Sequence, residues 1–115
     1  MKKLNKIMLA LSILPTLLTS VFLFFMNDTV PMHYNASGAV DRYGSKYENF
    51  ILPAIILFMY AFYMVYTKIY TKYSTNSVEK INNNVKITAI LVTSIIAAFN
   101  ILQLMFLILA VLKPD

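Results

Sequence analysis

The sequence predicts an all-helical integral membrane protein: three transmembrane helices carrying one ordered polar loop between the first two. Two observations carry this. Of 115 residues, 59% are hydrophobic and only 13% charged, far from the soluble average, where charge is about a quarter. The apolar residues also fall into three long runs, each about as long as a roughly 30 Å hydrocarbon core requires. There is room for a single membrane domain, residues 1–115. No Cys is present, which excludes a disulfide framework, a thiolate metal site and a cysteine nucleophile. The net charge of +5 gathers at the ends of the apolar runs. It forms no basic face for nucleic acid, and the expected surroundings are membrane lipid.

The first span covers residues 7–26. Met1-Lys2-Lys3-Leu4-Asn5-Lys6 resembles the positive region of a signal peptide. No small-residue cleavage site follows the apolar run, so it reads as a retained signal anchor. Ser12, Thr16, Thr19 and Ser20 share one helix face, and small hydroxyl residues mark a face turned toward other helices. Pro15 within that stripe predicts a kink. Leu11, Leu18, Phe22 and Phe25 are expected to face lipid.

Residues 27–50 form the polar loop, with the only His, both Gly and the only Arg of the chain. A connection of this length is usually functional or disordered. Interspersed Tyr34, Val40, Tyr43 and Tyr47 argue for order. Asn35-Ala36-Ser37-Gly38 is a turn sequence, with Gly38 supplying a positive φ. The expected structure is a small two-stranded β-hairpin lying on the membrane. Its turn should bring His33, Asn35, Asp41 and Lys46 into one polar cluster.

The second span, residues 51–73, starts with Pro53 in its first turn, where a missing N–H is harmless. Tyr66, Tyr70 and Tyr73, with Lys68 and Lys72, read as an interfacial belt. Tyr60 and Tyr63 lie deeper and need hydrogen-bond partners inside the bundle. Residues 74–86 read as a short hydrophilic link and residues 87–112 as the third span. Thr93, Asn100 and Gln103 lie on one polar stripe that should face the other helices. With Thr16, Thr19, Tyr60 and Tyr63 they could line a ligand path, or simply hydrogen-bond between helices; the second is favoured.

Lys2, Lys3 and Lys6 with Lys68, Lys72, Lys80 and Lys86 outnumber Arg42, Lys46 and Lys113 by seven to three. The positive-inside rule therefore predicts a multi-pass cell-membrane protein with the N-terminus cytoplasmic and both the loop and the C-terminus outside.

His33, Asp41 and Glu48, with Asp28 nearby, are residue types a divalent metal accepts. Their spacing matches no metal motif, so neither metal nor cofactor is assigned. His33 as base, Asp41 as its orienter and Ser37 or Ser45 as nucleophile would suit a hydrolase, metal-assisted or not, but no nucleophile-elbow signature is present. Arg42 and Glu48 read as an ion pair closing the loop.

The loop also carries a resemblance. Val30-Pro31-Met32-His33-Tyr34-Asn35, Gly38, Asp41, Gly44-Ser45-Lys46 and Pro53 resemble the bacterial membrane domain of unknown function that opens SdpI-type immunity proteins. The family pattern reads V/I-P-x-H-aromatic-N-x-x-G-x-x-D-x-aromatic-G-S-K with a Pro entering the next helix. Two departures are visible: Met26-Asn27 stands where the family has a Leu-Pro, and family members continue with further spans. The resemblance implies a cell-membrane protein of low-GC Gram-positive type that protects its cell from a secreted antimicrobial peptide. It also implies a cytoplasmic repressor held at the membrane. Pro31, His33, Asn35, Gly38, Asp41 and Lys46 are then the motif residues for a ligand. The expected function is an immunity or sensing protein whose loop engages a peptide toxin or an envelope ligand. The alternatives are a His33-dependent membrane hydrolase, or a small subunit of a transporter or envelope complex with a homo-oligomer or membrane partner. By residue types the chain is not expected to be an enzyme.

Overall fold

Backbone groups in lipid must be satisfied within the chain, which leaves helices as the spanning elements. The computed structural model describes residues 2–112 and holds three of them. These are α1 (Lys2–Phe22), α2 (Ile51–Tyr73) and α3 (Val78–Leu112). All three are long and apolar enough to cross a membrane. Between α1 and α2 come a 3-10 turn (Leu23–Phe25), the strands β1 (Thr29–Tyr34) and β2 (Val40–Ser45), and a second 3-10 turn (Lys46–Phe50). The strands pair antiparallel, so the expected hairpin is a true two-stranded sheet on a helical membrane protein. The second span keeps the bounds expected for it. The closing Lys113-Pro114-Asp115 and the start at Met1 lie outside the described residues, and with them the expected side of the C-terminus.

Three expectations need correction. Residues 74–86 are not a link: the connection shrinks to residues 74–77, and the third helix begins at Val78 instead of 87. Ser77 caps it, its Oγ accepting from the Lys80 N–H at 3.2 Å, with Glu79 in the first turn where the helix dipole favours an acid. No Gly or Pro interrupts Val78–Lys86, so the polar stretch simply continues the helix below the apolar band. The first helix likewise starts before residue 7 and passes through Pro15, its C-terminal end tightening to the 3-10 turn at Leu23–Phe25.

The third correction concerns which side of α1 meets lipid. Met8, Ser12, Pro15 and Thr19 form a buried row with Thr16 half-buried beside it, while Ser20, expected on the same face, is exposed and donates to the Thr16 carbonyl instead. Leu11, Leu18 and Phe22 are half-buried and pack on the core rather than facing out. They belong to the adjacent i, i+4 row, and a packed helix face is wider than one row. Ile13, Leu14, Leu17, Val21 and Phe24, with Phe25, are the exposed ones.

Packing collects in two places. Met8, Ile56, Tyr63, Ala89 and Ile96 join the three helices midway. Met26, Val30, Leu107 and Ala110 seat the hairpin on the end of α3. Val30 is fully buried, worth about 2 kcal/mol against an exposed side chain, so the hairpin is anchored by its first strand. Pro31 is buried beside Val30, whereas on β2 Asp41, Arg42 and Tyr43 are exposed.

Polar groups stitch the helices together at three levels. Tyr63 donates to Asn5 Oδ1 at 3.2 Å, a partner on α1 for one of the two deep tyrosines; Tyr60 packs partly buried beside it. Asn100 Nδ2 donates to the Leu11 carbonyl at 2.9 Å and to the Ile96 carbonyl at 2.8 Å. Gln103 Nε2 donates to Thr19 Oγ1 at 2.9 Å and to the Asn49 carbonyl at 2.8 Å. Thr16 and Thr93 sit on the same faces with buried hydroxyls that find no partner among the described residues. At the far end of α2, Tyr70 accepts from Asn84 at 2.6 Å and Asn76 at 3.3 Å, and its ring stacks on Tyr66. Tyr70 therefore staples α2 to α3 as well as belonging to the aromatic belt.

Candidate functional site

Each special residue of the hairpin has a backbone task that precedes any chemistry. Asn35 opens the turn, its carbonyl accepting from the Gly38 N–H at 3.0 Å. Its side-chain Oδ1 gathers three donors: the Ser37 N–H and the Ala39 N–H at 3.0 Å and the Ser37 hydroxyl at 2.7 Å. Asn competes for local backbone donors in this way and so favours turns. Gly38 has φ +85°, where a side chain would be strained.

At the other end, Ser45 and Glu48 form a capping box. Ser45 Oγ accepts from the Tyr47 N–H at 3.2 Å, and Glu48 Oε2 accepts from the Ser45 N–H at 2.8 Å. Ser-x-x-Glu is a sequence signature of a helical start. Gly44 makes room for it: a Cβ there would run into the Glu48 carboxylate and lie 2.8 Å from Met32 Cγ. Gly44 is thus fixed by close approach, Gly38 by its φ. The Lys46 N–H closes the loop on the Asp28 carbonyl at 2.9 Å.

The register between the strands is not regular. Pro31 pairs with Tyr43 and His33 with Arg42, so Met32 is an extra residue on β1; Tyr34 then pairs with Val40, which makes Asp41 an extra residue on β2. Bulges re-aim side chains. Here they bring His33 Nδ1 to 2.5 Å from Asp41 Oδ1, with the two side chains 66% and 43% exposed. A carboxylate on Nδ1 fixes how the imidazole is presented and leaves Nε2 for something else.

The cluster expected of His33, Asn35, Asp41 and Lys46 therefore divides. His33 and Asp41 form one pair. Asn35 is spent on the turn. Lys46 sits at the opposite end of β2, Nζ 3.5 Å from Asp28 Oδ1 and 5.5 Å from the Tyr47 ring centre. Arg42 pairs with Glu48 Oε1 at 3.3 Å, the clasp that the residue types suggest. With Glu48 held there, His33, Asp41 and Glu48 do not gather, and no three His, Asp or Glu side chains do among the described residues. Tyr34 ends β1 with its hydroxyl buried and without a partner among the described residues. Burial, and secondarily Tyr43 beside it, push its pKa above the usual value.

Under the hairpin runs a groove that no single motif announces. One part, about 220 Å³, lies between Pro31 and Met32 of β1, Glu48 and Asn49, the start of α2 and Leu102, Gln103 and Phe106 of α3. A second part, about 420 Å³, lies between Met32, His33 and Tyr34 and Met105, Phe106 and Leu109. Met32 and Phe106 border both. Asn49 and Gln103 are 5% and 3% exposed. Asn49 Nδ2 donates to the Lys46 carbonyl at 2.9 Å and approaches Met26 Sδ at 3.6 Å. Asn49 and Met26 escape a reading by residue type, since an amide beside an apolar run looks like an ordinary helix start.

The family model described as Domain of unknown function (DUF1648) matches residues 10–57, which run from α1 through the hairpin into α2. An uncharacterized protein of Archaeoglobus fulgidus is 42% identical over 67 residues, 58% of this chain and 35% of that protein. The chain thus spans about a third of the relative it matches. No solved structure matches. From α1 into α2, then, this chain is similar to a domain of unknown function.

Proposed function

We propose that the chain is a membrane recognition protein that binds a secreted antimicrobial peptide, or another envelope ligand, through the His33–Asp41 face of its hairpin, with that hairpin outside the cell. One observation carries the reading. The hairpin fixes its own backbone with Asn35, Ser45 and Glu48, yet leaves the His33–Asp41 pair exposed. A structural clasp would be better buried; a pair held rigid and exposed suits contact with another molecule. Protection of the cell from a peptide is the form of this function that the motif residues suggest.

The hydrolase reading has the carboxylate that would orient His33, but both serine hydroxyls of the hairpin are committed. Ser37 donates to Asn35, and Ser45, which accepts from the Tyr47 N–H, pairs with Thr29 at the end of the hairpin away from His33. The subunit reading needs polar stripes free for a partner, whereas Asn100 and Gln103 are spent on α1.

The test is survival of a sensitive Gram-positive host that expresses the protein, challenged with a panel of secreted cationic and apolar antimicrobial peptides. The parent should raise survival against at least one. His33→Ala and Asp41→Ala should each remove that protection at unchanged protein abundance in the membrane. Equal protection by both variants would sink the reading. Orientation is checked separately, since a chain without Cys accepts single reporters. Ser37→Cys should react with an impermeant thiol reagent on intact cells, and Asn83→Cys, exposed on the polar start of α3, should not.

A further inference from the structure

Beneath the hairpin, the groove holds hydrogen-bonding capacity that the fold itself does not use. Asn49 and Gln103 each point an amide nitrogen at a backbone carbonyl, of Lys46 and Asn49 respectively. A carbonyl only accepts, so these bonds settle which end of each amide is nitrogen. The other ends, Asn49 Oδ1 and Gln103 Oε1, accept nothing among the described residues. Both residues line the smaller part of the groove, and so does Glu48.

To these two free amide oxygens Glu48 adds a carboxylate, whose oxygens already accept from the Ser45 N–H and Arg42 and keep lone pairs to spare. This lining matches a primary ammonium, which has three donors and no acceptor. Arg42, outside the lining, reaches Glu48 Oε1 at 3.3 Å with its side chain 55% exposed, and a guanidinium has donors left over for a phosphate. The remaining walls are Ile51, Leu52, Ile55, Leu102 and Phe106, at the hairpin ends of α2 and α3. Ile51 and Ile55 are themselves on the exposed apolar surface, so the groove opens where acyl chains lie.

We propose that this groove is a lipid site that takes an ammonium–phosphate headgroup. The primary ammonium of a phosphatidylethanolamine enters among Glu48, Asn49 and Gln103. Its phosphate meets Arg42, and its chains run along Ile51 and Ile55. The lipid belongs to the leaflet on the hairpin's side. A quaternary ammonium offers no N–H donor, and a glycerol headgroup carries no positive charge for Glu48, so both fit less well. The site does not depend on the peptide-binding reading.

The chain has no Trp, so Phe106→Trp places a single tryptophan, excited selectively over the tyrosines, at the border of both parts of the groove. The full-length variant is reconstituted in phosphatidylcholine vesicles containing an equal fraction of brominated phosphatidylethanolamine, phosphatidylcholine or phosphatidylglycerol. Quenching by the ethanolamine lipid should exceed the other two by about tenfold in relative affinity, the lower end of what one hydrogen bond to a charged group is worth. Glu48→Gln keeps the capping box, since Gln serves at that position, and should bring the ratio close to one with helicity unchanged. Equal quenching by all three lipids, a preference for phosphatidylglycerol, or a preference that survives Glu48→Gln would each overturn the assignment. Should Phe106→Trp fail to fold, native mass spectrometry of the parent chain with the same three lipids, unbrominated, decides by which one stays bound.

Discussion

The hairpin and the helix bundle use their polar groups in opposite ways. In the hairpin the bonds are local: Asn35 to Ser37 and Ala39, Ser45 to Tyr47, Glu48 to Ser45 and Arg42. In the bundle they reach across the chain: Asn5 to Tyr63, Leu11 to Asn100, Thr19 to Gln103. A locally bonded segment keeps its shape whatever the helices do. A bundle joined by single amides owes its stability mostly to packing, because such bonds are worth about 0.6 kcal/mol each in a membrane. Rigidity is therefore concentrated where the exposed pair stands, and adaptability where lipid surrounds the chain.

The strongest way to break this contrast is Gly44→Val. Its side chain would displace both Glu48 and Met32, combining overpacking with a lost cap, about 2–4 kcal/mol against the hairpin. Limited proteolysis in nanodiscs should cut between the strands while all three helices remain protected. Resistance like the parent's would show that the hairpin is not held by the box.

Gly38→Val should act more weakly, about 1–2 kcal/mol, because there is open space around the position and only its φ is at stake. Gly38→Asn should recover most of the loss, since Asn tolerates the left-handed region. If Val and Asn are cut equally fast, the turn does not depend on the φ.

Gln103→Leu sharpens the other side of the comparison. It strands the Thr19 hydroxyl and the Asn49 carbonyl, at a cost of about 1–2 kcal/mol, and the loss should appear as reduced resistance of the helices to SDS. Asn35–Ala39 should hold its shape throughout. A hairpin turn that loosens together with the bundle would mean that the two regions form one cooperative unit.

The smallest effect should come from Tyr34. Its pKa lies above the usual 10.0, so the folded hairpin favours the protonated phenol. That contribution is intact below pH 10 and is lost as the pH rises through the raised value. Tyr34→Phe should remove this alkaline loosening, with stability at neutral pH equal to the parent's or slightly higher, since the replaced hydroxyl has no partner among the described residues. Thermal protease resistance at pH 8 and pH 11 checks both halves.

Elements whose cause is local could be read from residues alone. Pro53 and the Tyr-rich run bounded the second helix at 51–73, and Asn35 to Gly38 announced the turn. The start of α3 was missed because Asn82, Asn83 and Asn84 look like loop, although Ser77 with Glu79 signals a cap. Ser45-x-x-Glu48 also stood in plain view, but Glu48 was weighed as a charge rather than as a cap. What depends on three-dimensional pairing was not legible. The stripe through Asn100 and Gln103 says that they face inward, but nothing in their spacing names Leu11 or Thr19. The two bulges that turn His33 toward Asp41 leave no mark in an alternating pattern, so the pair was expected for the wrong reason, as residues opposite one another.

Those two bulges have an evolutionary consequence. The extra residue on β1 is Met32 and the extra residue on β2 is Asp41, so their offsets cancel and the pairing resumes in step at Tyr34 and Val40. A deletion confined to one strand would leave the other bulge uncompensated and turn the remaining residues of that strand to the opposite face, pulling Val30 off α3 or Tyr34 out of its burial. Loss of both at once would give a plain hairpin with sound pairing and no pair. Insertions and deletions between Pro31 and Tyr43 should therefore survive in matched pairs. Strand length in this segment is then as much a heritable trait as the identity of His33.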